Sequence, residues 1–353
     1  MTAQTPIFDG HNDLLLRLWR VAPEERDRMW LEGGAGGHLD LPRMRAGGFA
    51  GGLFAIFVPS PGGTGLEMMA GRPSYALPLP EALATRVAVA PALEMAALLM
   101  RMERVSAGAL RICRTVGEIR ACIETGTIAA VMHMEGAEAI GADLDMLHLL
   151  HGLGLRSLGP VWSRPTIFGH GVPFAFPADP DTGAGLTGAG EDLVRECAAL
   201  RMVIDLSHLN AAGFEDVARL TTGPLVASHS NAHALCPSSR NLTDRQLDHI
   251  RERRGLVGLN FATAFLRPDG QSRPDTGWEP VLRHLDYLIA RLGEDHVGFG
   301  SDFDGATIPA VIGDAAGLPT RVEALAAHGY DAGLLAKLGH LNWLAVLERA
   351  WEG

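Results

Sequence analysis

Eight short apolar runs, mostly separated by segments of helical spacing, constrain this chain of 353 residues more than any other feature. The runs cover residues 7–13, 52–58, 127–134, 156–161, 202–208, 225–229, 256–261 and 296–302. Between most of them lie segments that predict helices, among them 14–31, 81–102, 116–124, 143–153, 191–200, 211–220, 244–253, 278–292 and a terminal 334–351. In 81–102, for example, Leu83, Val87, Ala90, Leu93, Ala97 and Met100 recur at the period of one helix face. Strand and helix alternating in this way is the pattern of an α/β fold, a (β/α)8 barrel of the TIM type, and such barrels reach this length as a single domain.

Gly- and Pro-rich stretches near 59–80, 162–190 and 262–277 interrupt the alternation. They read as long loops over one face of a single domain spanning 1–353, because long loops in compact domains usually carry function. Met68, Met69 and Tyr75 are expected to pack there or to touch a partner subunit.

The position of the metal-ligating residue types points to chemistry. His11 and Asp13 end the first run, Glu135 the third, His208 the fifth, His229 the sixth and Asp302 the eighth. All lie at carboxyl ends, the face on which barrels of this type build active sites. Strand alternation directs His11 and Asp13 to one side. Each residue alone has a plainer reading, a histidine satisfied by a hydrogen bond at a strand end or an aspartate capping a turn. Together, three imidazoles and three carboxylates exceed what one tetrahedral zinc requires, and two divalent ions sharing a carboxylate would use them. The expected arrangement has His11 and Asp13 on one ion, His208 and His229 on the other, and Glu135 bridging. A hydroxide between two ions attacks a polarised carbonyl at neutral pH, and Asp302, with no evident metal duty, is expected to pass the proton to the leaving nitrogen.

Neighbouring residues compete for these roles. Asp205 and Asp304 flank the proposed ligands, and Asp304 could cap the 302–305 turn or replace Asp302 as the acid. His296 precedes its strand and belongs to the opposite barrel face. His148 and His151 are read as a solvated helix face, and His38, His133, His170, His233, His249, His284, His328 and His340 as non-ligands, mostly solvated or capping. Arg240, in the loop after the sixth run, is the cation placed near the site, where a guanidinium could pair bidentately with a substrate carboxylate. On composition alone it reads as a solvated surface residue.

Net charge of −11 without a basic run argues against a nucleic-acid partner. Cys113, Cys122, Cys197 and Cys236 are scattered, contain no Cys-x-x-Cys pair and read as reduced thiols. The first strand begins within six residues and no apolar run has membrane-spanning length, so the expectation is a cytoplasmic protein without membrane attachment.

At Asp9-Gly10-His11-Asn12-Asp13, Glu135-Gly136, Asp205-Leu206-Ser207-His208, Ser228-His229-Ser230-Asn231, Arg240-Asn241 and Gly300-Ser301-Asp302-Phe303-Asp304-Gly305 the chain resembles the membrane (renal) dipeptidase family, peptidase family M19. The motifs occur in family order and span nearly the whole chain. The resemblance implies a (β/α)8 barrel with two zinc ions per chain, other divalent metals remaining open. It implies His11 and Asp13 on one ion, His208 and His229 on the other, and Glu135 between them. Asp302 would handle the proton and Arg240 would contact the substrate carboxylate. It further implies hydrolysis of dipeptides, several members accepting a C-terminal D-residue, and allows for a homodimer. Two departures stand out: Trp162 occupies the place of a substrate-contacting family histidine, which His170 could supply instead, and Gly136-Ala137-Glu138 replaces a usual Gly-Gly-His. Trp162 is expected to pack against a substrate side chain, since an indole donates one hydrogen bond and accepts none. The alternatives are another binuclear amidohydrolase, acting on an N-acyl amino acid, a cyclic amide or a phosphoester, and a binding protein that has lost catalysis.

Overall fold

In the computed structural model, residues 5–34, 36–62 and 71–353 are described. Eight strands form the barrel: β1 (Ile7–Asn12), β2 (Phe49–Phe57), β3 (Ile128–Glu135), β4 (Leu155–Gly159), β5 (Val203–Ile204), β6 (Val226–Ser230), β7 (Leu256–Leu259) and β8 (Val297–Phe299). They neighbour one another in chain order, β1 pairs β8, and every pairing is parallel. The ring closes between β5 and β6 through a parallel bridge from Asp205 to Val226, with the Leu206 N–H donating to the Val226 carbonyl at 2.8 Å. The expected α/β barrel is therefore the observed one.

The strands hold their place because their side chains are apolar and buried on both faces, as parallel strands covered by helices must be. Phe8, Leu53, Val131, Val203, Val226 and Leu256, each from a different strand, meet Trp343 of the terminal helix Asn342–Trp351 in one cluster. A Cβ on Gly10 would lie 2.3 Å from the Trp343 ring and one on Gly298 2.7 Å from it. Glycine at these two strand positions is what lets the indole seat, and its Nε1 then donates to the Phe299 carbonyl at 2.9 Å. This helix closes the barrel at the end where the strands begin, leaving the carboxyl ends for the site.

Several elements differ from the expectation. The helix over 14–31 is two, Leu14–Trp19 and Arg26–Glu32, with Pro23 in the gap between them. A further helix, Leu41–Gly47, starts at Asp40, whose carboxylate accepts from the Arg43 N–H. The terminal helix is broken into Ala332–Ala336, a π-helical turn Lys337–Leu341 and Asn342–Trp351. Strand β5 is shorter than the apolar run that encodes it: Asp205 turns its carboxylate onto the Ser207 N–H at 3.1 Å, and His208 adopts a φ of 72°. That local side-chain bond competes with the sheet ladder, and the strand ends before it. Leu110–Ile112, not expected as a strand, adds to the outside of β3, and Tyr75–Ala76 pairs antiparallel with Ala175–Phe176 inside the two long loops. Tyr75 is buried there, its hydroxyl donating to the Gly270 carbonyl, whereas Met68 and Met69 lie outside the described residues. Among the described residues no helix is long and apolar enough to cross a membrane.

Candidate metal centre

The carboxyl ends of the strands converge on a cleft of about 540 Å³. Asp13, Glu135, His208, His229 and Asp302 line it, while His11 is fully buried at its floor. The Nε2 of His11 lies 3.4 Å from Asp13 Oδ2 and 3.7 Å from Glu135 Oε2. The other oxygen of Glu135, Oε1, lies 3.0 Å from His208 Nε2 and 3.3 Å from His229 Nε2. Glu135 thus presents one oxygen to each half of the group, the disposition a bridging carboxylate needs. Ligand-type atoms of His11, Glu135 and His229 lie within 4.8 Å of one another, as do those of His11, Asp13 and Asp302. Two overlapping clusters of this kind are consistent with a binuclear divalent-metal centre.

The surroundings fit cations. Among the described residues neither ring nitrogen of His11 has a hydrogen-bond partner, although the ring is buried and stacked on His229 with centroids 3.8 Å apart. Burial pushes the Glu135 carboxyl up to about 8 and also raises Asp302, each against the pull of His11. Burial lowers the His11 imidazole, but Glu135 and Asp13 beside it drive it up to about 10. Burial, followed by Arg240 for His208 and by His11 for His229, holds those two imidazoles far below their ordinary range, in the neutral form that ligates metal. Asp13 and Glu135, both buried, and the partly buried Asp302 gather near the Arg240 guanidinium, and divalent cations would supply balancing charge there.

Second partners orient these rings. His208 Nδ1 pairs with Ser163 Oγ at 2.9 Å and His229 Nδ1 with Ser228 Oγ at 2.8 Å, so both Nε2 atoms turn toward Glu135. Ser228 Oγ donates in turn to Asp205 at 2.5 Å, and Asp205 also accepts from the Ser207 and Ser228 N–H groups. Asp205 is therefore a scaffold for His229, not a competing ligand. Asp304 is likewise engaged, its Oδ2 3.0 Å from Arg17 Nε and its Oδ1 accepting from the His38 N–H. Asp302 Oδ2 accepts from Asn260 Nδ2 at 3.0 Å, and Asp9 takes both the N–H and the hydroxyl of neighbouring Ser301. Asp302 and Asp304 both hold left-handed backbone, φ 58° and 67°, a strained conformation that concentrates at functional sites. Ser163 and Asn260 lie outside the candidate residues read from the sequence, and Ser228 enters there only as part of the Ser228-His229-Ser230-Asn231 motif. Asn260 follows β7 directly, so the same strand-end rule that picks out the candidate ligands points to it.

Arg240 is buried, against the solvated reading. Its Nη1 donates to Ser230 Oγ and its Nη2 to the His229 carbonyl, each at 2.9 Å, while Nε has no partner among the described residues. Trp162 lines the cleft, its ring 5.0 Å from Phe57, 5.5 Å from Phe174 and 5.8 Å from His208. Behind it Arg164, fully buried, lies 5.8 Å from both the Trp162 and Phe57 rings and pairs with Glu138 at 2.8 Å. Glu138, where the family usually has histidine, thus anchors the wall. His170 is half-buried and is not among the residues lining the cleft.

Two histidines expected to be solvated or capping are buried instead. His133 sits edge-on to His11 and pairs with Ser157 Oγ at 2.9 Å, and His284 lies between the Ala232 N–H and the Leu266 carbonyl. His296 bonds the Gly255 carbonyl before β8 begins, away from the site.

The family described as Membrane dipeptidase (Peptidase family M19) matches residues 1–352. The chain belongs to this family. A metallo peptidase from Rhodobacter sphaeroides, solved with a phosphinate mimic of the dipeptide L-Ala-D-Ala, is 62% identical to this M19 chain. It superposes with a TM-score of 0.97 over 99% of this chain and 100% of its own. A protein of Klebsiella pneumoniae, described only as an uncharacterized protein in the pqqA 5' region, is 50% identical over 72% of this chain and 94% of its own length. The dipeptidase tcpJ of Claviceps purpurea is 25% identical over 98% of this chain and 77% of its own.

Proposed function

We propose that this M19 chain is a zinc-dependent dipeptidase that hydrolyses the peptide bond of dipeptides, including those with a C-terminal D-residue. The observation that carries the reading is Glu135, with one oxygen toward His11 and Asp13 and the other toward His208 and His229, at the floor of a cleft of dipeptide size. The relative that holds a mimic of L-Ala-D-Ala supports the substrate class and the tolerance of a D-residue.

His11 and Asp13 would hold one ion, His208 and His229 the other, and Glu135 both. Two divalent ions there supply a nucleophile from water at neutral pH and polarise the scissile carbonyl. The chain's own work is to position and to move a proton. Asp302, fixed by Asn260, takes a proton from the attacking water and delivers it to the leaving nitrogen. Arg240, pinned by Ser230 and His229, keeps its Nε–H and the second hydrogen of each terminal nitrogen for the substrate carboxylate. Trp162, braced by Arg164, packs on a substrate side chain. Phe174, Ala264, Phe265 and Ser272 also line the cleft, which supports one domain over 1–353 whose loops 162–190 and 262–277 border the substrate mouth. A cytoplasmic protein, a homodimer and no nucleic-acid partner complete the reading, the last from the net charge of −11.

The test is a panel of L,L- and L,D-dipeptides, dipeptide amides, N-acyl amino acids and aryl phosphates, run with zinc, manganese and cobalt enzyme. Free dipeptides should turn over fastest. Losing a charge-assisted hydrogen bond costs about 1.5 to 3 kcal/mol, so Arg240→Ala should lower kcat/KM for a free dipeptide about ten- to two-hundredfold and spare the dipeptide amide. Preferred turnover of N-acyl amino acids or phosphates would assign the chain to another binuclear hydrolase class.

A further inference from the structure

We propose that Arg20 reads a third charged group on the substrate, so that the preferred substrates are dipeptides with an acidic side chain; this rests on the dipeptidase reading above. The helix Leu14–Trp19 begins at Asp13, and Asp13, Leu16, Arg17 and Arg20 all line the cleft. Spacings of three, four and seven place them on one helix face, and seven residues advance about 10 Å along the axis. Arg20 thus stands on the same face as a candidate metal ligand, further out toward the rim.

Apart from the candidate metal ligands, the described residues that can bring positive charge to the cleft are Arg17, Arg20 and His38 in its lining and Arg240, buried against the ring of its wall residue Phe265, and all but Arg20 are committed. Arg17 is paired with Asp304 at 3.0 Å and also donates to the carbonyls of Gly36 and Leu39. His38 accepts from the Asp304 N–H, and burial together with Arg17 holds it down to about 4, so it is neutral. Arg240 is buried and pinned at two nitrogens. Arg20 is exposed, and its side chain has no hydrogen bond or ion pair with any described residue. The carboxylates cannot answer it: Asp13, Glu135 and Asp302 surround the metal centre, and Asp304 is neutralised by Arg17. The rest of the lining carries no charge: Phe57, Trp162, Phe174 and Phe265 are aromatic, and Ser272 and Thr307 are neutral polar residues among small ones.

An unmatched guanidinium on the wall of a cleft attracts an anion. With the substrate's own carboxylate proposed at Arg240, the anion left for Arg20 to read is one on a side chain. Two residues span about 7 Å when extended, and an aspartate or glutamate side chain carries its carboxylate a few ångströms beyond that, into the range of Arg20.

The experiment compares kcat/KM of the metal-loaded enzyme for L-Ala-L-Glu, L-Ala-D-Glu and L-Glu-L-Ala with the matching glutamine dipeptides. It uses wild type, Arg20→Gln and Arg20→Glu. Wild type should favour at least one acidic substrate over its amide. That ratio should fall about three- to tenfold in Arg20→Gln, further in Arg20→Glu, mainly through KM, and should shrink with added salt because Arg20 is exposed. Acid-to-amide ratios equal in all three proteins overturn the proposal. Failure of wild type to cleave any dipeptide overturns the dipeptidase reading itself, and is told apart by the glutamine substrates remaining intact.

Discussion

At the scale of single residues the site turns on how Asp302 divides its duty. Its carboxylate lies in a cluster with His11 and Asp13, close enough to ligate, yet it is also hydrogen-bonded to Asn260 and lines the cleft. If it carries the proton, Asp302→Asn should keep two metals per chain and lose roughly 10² to 10⁴ in rate, the usual range for general acid–base catalysis. Metal analysis beside steady-state kinetics checks this. An Asn variant that has lost an ion makes Asp302 a ligand, and one with near-normal rate moves the proton transfer elsewhere. Asp304 is a poor substitute, since Arg17 and His38 hold both its oxygens. No inspection of the Asp302-Phe303-Asp304-Gly305 string separates these two aspartates; the separation comes from partners more than 250 positions away.

At the scale of elements, the wall that carries Trp162 is tied together by a buried ion pair. Arg164 joins the end of β2, through the Val58 carbonyl and Ser60 Oγ, to Glu138 after β3 and to its own loop after β4. Burial raises the Glu138 carboxyl against the pull of Arg164. Removing one partner leaves an uncompensated buried charge, so Glu138→Ala should destabilise the fold by about 3 to 5 kcal/mol. A double change of Glu138 and Arg164 to Met should cost far less, because an apolar pair of similar volume replaces both charges. Urea denaturation of the three proteins checks this, equal losses in single and double variants excluding the ion pair as the cause. Gly136 belongs to the same unit: its φ is 84°, and a Cβ there would lie 2.5 Å from Glu138 Oε2. The departure from the usual family residue at Glu138 is thus answered by Arg164, within the element pair and away from the candidate metal ligands.

For the whole molecule, the barrel gathers Asp13 and Glu135, both buried, and the partly buried Asp302 into one group, with Arg240 as the nearby cation. Cations that bind the folded chain and not the unfolded one stabilise it by mass action, by about 2.7 kcal/mol at a hundred times Kd. Chelation should therefore lower Tm along with activity, and zinc or manganese should restore both. A Tm indifferent to chelation would mean that the carboxylates are neutralised by protons instead.

The alternation of apolar runs with helical segments was enough to specify the barrel, because burial on both faces of each strand and on one face of each helix is a local pattern. Placing His11, Asp13, Glu135, His208, His229 and Asp302 at strand ends was equally legible, since strand polarity alone puts those ends on one face. The strand Leu110–Ile112 was not, because three residues are too few for a periodicity. Nor were the left-handed turn at His208, the support of His229 by Asp205 through Ser228, the Glu138–Arg164 pair or the lack of a side-chain partner for Arg20 among the described residues. Each depends on which distant side chain arrives beside it, or on whether none does. The pattern of the chain determined the fold and the inventory of the site, and the closed barrel alone decided which members of that inventory touch, because hydrogen bonds and ion pairs are settled by separations of a few ångströms between residues far apart in sequence.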